Sequence, residues 1–239
     1  MRINGLHILA RDLEGQRRFY VDTLGFALES STPIEFTVLA GASRLRFIDQ
    51  TAARSAFGPY HFAFNIPFDQ VDVAKAWAAT RVPLIADNAG QTDFPSELFA
   101  SRQIYFFDPD GNIVEFIGRQ RQPASNGVEF TARDSVHGIS EIGVAVPDVP
   151  DAVRGFLATF GNSRFGPNPG PDFAAVGDDD GMLIVVREGR TWFPDTGIPA
   201  GPLWFEAEVR NANGLWRLIG PTARIDPVVV GASDGDTRL

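Results

Sequence analysis

The chain opens on an apolar stretch, INGLHILA over residues 3–10, whose hydrophobic pattern then changes period. Residues 3–10 read as a short strand. After it, Leu13, Tyr20 and Leu24 recur at helical spacing, and Gln16, Arg17 and Arg18 fit the exposed side between them. Asp12 is a good N-cap and Gly25 fits the glycine stop beyond a helix end. IEFTVLA (34–40) and SRLRFID (43–49) then read as strands, giving the order β, α, β, β.

The pattern repeats. In SEIGVAVPDVPDAVRGFLATFGN, residues 140–162, an apolar strand again runs into an aspartate, Asp148, and the helix-like stretch stops at Gly161. Thirteen positions separate Asp12 from Gly25, and the same number separates Asp148 from Gly161. Tyr20 and Leu24 correspond to Phe156 and Phe160, so the chain carries an internal repeat. HFAFNIPFDQVDVAKAWAATRV (61–82) is a third strand-then-helix unit. GPLWFEAEVRNANGLWRLIG (201–220) begins a fourth, read as a strand and a short helix. The polar stretch RQRQPASNGVEFTARDS supplies a linker. The expected organisation is a first half over residues 1–119, a linker over 120–135 and a second half over 136–239, each half pairing two βαβββ-like units.

FFDPDGNIVEF, residues 106–116, is a hairpin. Asp108-Pro109-Asp110-Gly111 supplies the turn chemistry, and apolar residues flank it. Side chains alternate along the second strand, so Glu115 shares a face with Ile113 and Ile117. A lone carboxylate between isoleucines needs either solvent or a partner. DDDGMLIVV (178–186) echoes the hairpin in the third unit.

Composition narrows the chemistry. The chain has 239 residues, 44% apolar and 21% charged, which is ordinary for a soluble globular protein. A formal net charge of -9 disfavours nucleic acid or an anionic membrane as partner. There is no cysteine, which excludes disulfides, thiolate metal sites and cysteine nucleophiles. No signal-peptide-like core or membrane-length apolar run is present, so a cytoplasmic location is expected. Phosphate-loop, dinucleotide and serine-elbow patterns are absent, and no organic cofactor is expected. Twenty Phe and four Trp furnish an aromatic core or a greasy cavity.

Together, HILARDLEGQRRFYVDTLGF, YHFAFNI and IYFFDPDGNIVEF resemble the vicinal oxygen chelate superfamily, which includes glyoxalase I, extradiol dioxygenases and the fosfomycin and bleomycin resistance proteins. The resemblance is strong over the first half, moderate over 136–190 and weak at the C-terminus. It implies an α+β fold of tandem βαβββ units, forming curved mixed sheets with a cup-shaped cavity and helices outside. It also implies a divalent metal in the cup, held by first and last strands of the units, and a small-molecule substrate that chelates it through two neighbouring oxygens.

Carried over position by position, the resemblance places Glu115 and His61 as metal ligands. In the first unit the usual position, seven residues before the helix-starting Asp12, is Gly5; His7 faces the same side two residues on. Two roles are open to His7: a ligand from a slipped strand, or a cup-lining imidazole that touches no metal. Arg46 falls near the fourth ligand position, where a guanidinium cannot ligate a cation but can hold an anionic substrate. In the third unit, Glu141 opens its strand and Val185 stands where the hairpin carboxylate would be, which reads as a copy without a ligand set. His137 reads as part of the linker. Tyr105 is a candidate proton donor. Two imidazoles and one carboxylate, His7, His61 and Glu115, suit Fe(II), Mn(II) or Zn(II).

Two classes of function follow from the resemblance. One is a metal-dependent enzyme, either an extradiol-type dioxygenase or a glyoxalase-like lyase or isomerase. The other is a metal-free protein that binds or sequesters a small molecule, as the drug-resistance members do. Both a monomer and a homodimer fit.

Overall fold

The computed structural model describes residues 1–52, 57–125, 127, 129–161, 164–166 and 170–228. The first unit consists of β1 (Arg2–Ala10), α1 (Leu13–Arg17), β2 (Ala27–Thr32), β3 (Glu35–Ala40) and β4 (Ser43–Asp49). The Asp12 carboxylate accepts from the Gly15 amide at 2.9 Å and caps α1, which continues as a π-helical stretch over Arg18–Thr23. Gly25 takes a φ of 78° just beyond it, a conformation that favours glycine.

The second unit contributes β5 (His61–Pro67), α2 (Val71–Ala79), β6 (Phe94–Ser96), β7 (Ser101–Phe107) and β8 (Ile113–Arg119). A short helix, α3 (Ala132–Ser135), lies in the linker. The third unit contains β9 (Gly138–Val146), α4 (Val149–Phe160), β10 (Arg164–Phe165), β11 (Phe173–Asp178) and β12 (Gly181–Arg187). Its helix is capped as the repeat predicts: Asp148 accepts from the Asp151 amide at 2.8 Å, and Gly161 ends it at φ 65°.

Among the described residues the fourth unit has no helix. β13 (Phe205–Asn211) turns directly into β14 (Gly214–Ile219), and β15 (Arg224–Pro227) follows. The short helix read over this region is therefore replaced by a hairpin. Its cause is local: the Asn211 side chain accepts from the Asn213 amide at 2.8 Å, and Gly214 takes a φ of 147°.

The units pair differently from the expected halves. β5 lies between β8, parallel, and β9, antiparallel. β1 lies between β4, parallel, and β13, antiparallel. The first unit thus forms one cup with the fourth, and the second unit forms a second cup with the third. β1 and β9 meet at Ile3 and Ile139, which joins the cups into one curved sheet. In each of the first three units the first strand uses one edge for that unit's own last strand. Once β9 takes the other edge of β5, the free edge of β1 is left to β13.

The core lies on the opposite face of the sheet from the second cup. Phe62, Phe64, Val114 and Phe116 are buried there. Tyr20 packs between Phe26 and Phe47, with ring centroids at 6.2 and 4.7 Å. The DPDGN turn also joins units. Asp108 accepts from the Tyr20 hydroxyl at 3.1 Å, and Asp110 accepts from the amides of Arg11 at 2.8 Å and Asp12 at 3.2 Å. Burial raises the Asp108 pKa to about 6, against the pull of its hydrogen bonds from Asn112, Gln16 and Tyr20. Among the described residues no helix is long and apolar enough to cross a membrane.

Candidate metal centre and cavity

The second cup takes its polar residues from three neighbouring strands. On β5, Phe62 and Phe64 face the core, so His61 and Ala63 face the cup. On β8 the same alternation turns Glu115 to the cup while Val114 and Phe116 face the core. On β9 a bulge does the work: Ala63 pairs with Glu141 and Phe64 with Ile139, leaving Ser140 as the extra residue. The bulge lets Ile139 and Ile142 both join the core while Glu141 faces the cup.

His61, Glu115 and Glu141 each offer one ligand atom, and these atoms lie within 4.8 Å of one another. His61 Nε2 is 3.5 Å from Glu115 Oε2 and 4.0 Å from Glu141 Oε2. Its Nδ1 lies 3.3 Å from the Ile113 carbonyl, a partner that can only accept. That contact places the proton on Nδ1 and leaves the Nε2 lone pair facing the carboxylates, the tautomer a metal ligand needs.

All three groups are buried, and burial dominates their electrostatics. It pulls the His61 pKa down to about 4; the Ile113 carbonyl opposes the shift and the charge of Arg190 adds to it. Burial, and then the charge of Glu141, raises the Glu115 pKa well above the ordinary carboxylate range. Arg119 and Tyr105 work against that rise. Glu141 is also raised by burial, opposed by the charge and hydrogen bond of Arg119. Arg119 is fully buried; it donates to Glu141, and its guanidinium lies 3.3 Å from Ser140 Oγ. Arg119 thus offsets one carboxylate, and burial beside Glu141 favours the protonated form of Glu115.

Two carboxylates and a neutral imidazole converging without solvent suit a divalent cation. Arg119 leaves one negative charge uncompensated, and the donor set of one nitrogen and carboxylate oxygens matches Mn(II), Fe(II) or Zn(II). The cluster lines a cavity of about 270 Å³. Phe94, Tyr105, Trp192 and Phe193 form much of its wall, and Arg190 reaches it from the loop after β12.

His61 and Glu115 come together as the resemblance implies. Tyr105 lines the same cavity, with its hydroxyl bonded to the Glu115 carboxyl. His7 and Arg46 do not join them. They are register partners on β1 and β4, in the other cup, where His7 also pairs with Glu206 of β13. His7 Nδ1 is 3.9 Å from Glu206 Oε1, Arg217 is 3.1 Å from the same oxygen, and Arg46 pairs with Glu35. The expected trio of His7, His61 and Glu115 is corrected by the sheet order, because β1 is next to β13 and not to β5. His137 lies just before β9, away from the cluster, and its amide donates to the Asn65 carbonyl at 2.8 Å.

Glu141 is the member the sequence reading set aside. It lies seven residues before Asp148, the same count that gives Gly5 before Asp12. That count, applied to the third unit, was the available signal. The assignment of Val185 to the hairpin position also shifts by one. β11 and β12 close through a tight turn with Asp178 paired to Gly181, whereas Phe107 pairs with Ile113 across a longer loop. The shorter turn changes the register, so Ile184 lines the cavity and Val185 faces the core.

Paired βαβββ units around a cup with a buried imidazole and two carboxylates define a glyoxalase-fold protein. Residues 2–116 match the Glyoxalase/Bleomycin resistance protein/Dioxygenase superfamily. No curated protein matches the chain. Among solved structures, a putative dioxygenase from Bacillus subtilis subsp. subtilis str. 168 is similar in fold over 92% of this chain and 82% of its own, with 16% identity and a TM-score of 0.58. A lactoylglutathione lyase from Agrobacterium tumefaciens is 25% identical over 48% of this chain and 92% of its own, with a TM-score of 0.42. A glyoxalase/bleomycin resistance protein/dioxygenase from Nocardioides is 19% identical over 54% of this chain and 89% of its own, with a TM-score of 0.41.

Proposed function

We propose that the protein is a metal-dependent enzyme of the glyoxalase or dioxygenase type, acting on a small molecule with two adjacent oxygens. The observation that carries this reading is the convergence of His61, Glu115 and Glu141 within 4.8 Å in a buried, roomy cup. These three side chains hold the cation. When bound, it supplies Lewis acidity to neighbouring substrate oxygens. The Ile113 carbonyl keeps His61 in its ligating tautomer. Arg119 opposes the rise in the Glu141 pKa and aims its carboxylate. Burial, and then the charges of Glu115 and Glu141, hold the Tyr105 pKa well above its ordinary value. Tyr105 therefore stays a hydroxyl, able to donate a hydrogen bond or a proton to a substrate oxygen. Trp192 and Phe94 exclude water from the reacting face.

The test is metal analysis of protein purified without chelator, followed by calorimetric titration with Mn(II), Fe(II) under anaerobic conditions, and Zn(II). One tightly bound divalent cation per chain, lost in Glu115→Gln, supports the reading. Trace metal only, with no binding on reconstitution, overturns it.

A second reading has its own observation. The Arg119–Glu141 pair and a protonated Glu115 make the cup self-consistent with no cation. Under this reading the protein binds an aromatic or anionic molecule without turning it over. Divalent metal then leaves the melting temperature unchanged, and a cavity ligand raises it.

A further inference from the structure

We propose that the cavity takes a planar, ring-sized substrate carrying an acidic group apart from its chelating oxygens, and that Arg190 binds that group. The inference deepens the enzyme reading above and rests on it for the chelating end alone.

The shape comes from the walls. Phe94, Tyr105 and Phe193 contact one another edge to face, with centroids 5.0 to 5.6 Å apart. Trp192 lies 5.0 Å from the His61 ring on another side. Flat apolar surfaces of this kind favour a flat apolar body between them.

The charge comes from Arg190. Its guanidinium lies 5.4 Å from the centroid of the Phe173 ring, and the residue lines the cavity. No carboxylate among the described residues pairs with it. Neighbouring arginines differ: Arg187 pairs with Asp172, Arg121 with Asp179 and Arg119 with Glu141. The backbone around Arg190 is held, its amide donating to the Arg187 carbonyl at 3.1 Å and its carbonyl accepting from Ala200 at 2.8 Å. A guanidinium stacked on a ring and lacking an anion, at the edge of an aromatic cavity, is a ready carboxylate receptor.

The electrical balance agrees. Glu115 and Glu141 are outweighed by Arg119 plus a divalent cation by one positive charge, and Arg190 adds another. A neutral chelator leaves that excess in place, whereas an acidic one lowers it by one charge at Arg190. The anion-holding role that the sequence assigned to Arg46 is thus available at Arg190 in this cavity, since Arg46 is already paired with Glu35.

The experiment compares two probes that share adjacent hydroxyls and differ by one carboxylate: catechol and 3,4-dihydroxybenzoate. Wild type and Arg190→Gln are titrated by calorimetry, loaded with Mn(II) and stripped with chelator. In the loaded wild type the carboxylated probe binds about tenfold or more tightly than catechol, and Arg190→Gln removes that preference by weakening the carboxylated probe alone. Equal binding in wild type, no binding of the carboxylated probe, or a preference that survives Arg190→Gln overturns the assignment. A preference that depends on Arg190 but is indifferent to Mn(II) upholds the role of Arg190 and overturns the metal reading instead.

Discussion

Glu115 and Glu141 flank Ala63: both are its register partners, one from β8 running parallel and the other from β9 running antiparallel. The residue between the carboxylates is therefore the smallest side chain with a Cβ, and it faces the cup. A larger side chain there occupies the space in which the carboxylates and His61 converge. Ala63→Val is expected to keep the β-rich circular dichroism of the wild type, because valine suits a strand. It is expected to lose about 1–3 kcal/mol to overpacking. It should also lose the rise in melting temperature caused by Mn(II). A metal-dependent shift of wild-type size in this variant would show that the cation sits elsewhere.

The same cluster gives the metal-free protein a defined pH response. His61 has an ordinary value of 6.5 and a folded value of about 4, so the unfolded chain takes up its proton first. Stability from this residue is lost as pH falls from about 6.5 towards 4. Glu115 is raised above its ordinary 4.5, so its contribution is fully present below that pH and is lost as pH rises through the folded value. Asp108 acts in the same direction between 3.8 and about 6. Urea unfolding at several pH values should therefore show losses from both sides without metal. Mn(II) replaces the proton on Glu115, so it should relieve the loss on the high-pH side, with metal affinity falling on acidification. An affinity independent of pH from 5 to 8, a window set by the ordinary carboxylate and imidazole ranges, would contradict this.

The local parts of this fold were legible because they are written in short-range chemistry. Asp12 and Asp148 announced their helices, Gly25 and Gly161 ended them, and DPDGN marked the hairpin that carries Glu115. The pairing of units was not legible, since each first strand presents a similar edge and nothing in INGLHILA says that β13 will take it. That pairing is what sets His7 beside Glu206 and Arg46, away from His61 and Glu115. Glu141 was overlooked because its strand reaches the cup through a bulge at Ser140, and its partner Arg119 sits 22 positions away in sequence. The fourth unit's hairpin was hidden by the expectation that every repeat keeps its helix.

Gly143 holds the cavity wall against the sheet. A Cβ there would lie 2.5 Å from Cη2 of Trp192 and 3.2 Å from the His61 carbonyl. Trp192 is large, rigid and nearly buried, so it cannot yield without leaving the His61 ring. Gly143→Ala is expected to destabilise the fold by about 1–3 kcal/mol and to red-shift tryptophan emission. Combining it with Trp192→Leu should recover part of the loss, giving a coupling energy above about 0.5 kcal/mol in a double-mutant cycle. Additive losses would mean that the two residues do not meet in solution.

Arg119 tests the charge logic of the cup without any cation. It is fully buried, its Nε and Nη1 have no hydrogen-bond partner among the described residues, and its guanidinium lies 5.5 Å from the Phe99 ring centroid. Its stabilising role is therefore concentrated on Glu141. Arg119→Met preserves much of the stem's packing but leaves Glu141 buried beside Glu115 with no positive partner. Removing one member of a buried pair costs about 3–5 kcal/mol, whereas replacing both by apolar groups is often near neutral. Arg119→Met should accordingly unfold at markedly lower urea concentration in the absence of metal, and Arg119→Met/Glu141→Leu should regain most of that loss. Mn(II) should rescue the single variant, because a cation can stand in for the guanidinium, and should leave the double variant unmoved, because one of its ligands is gone. Equal sensitivity of both variants to Mn(II) would remove Glu141 from the metal centre and leave it a purely structural carboxylate.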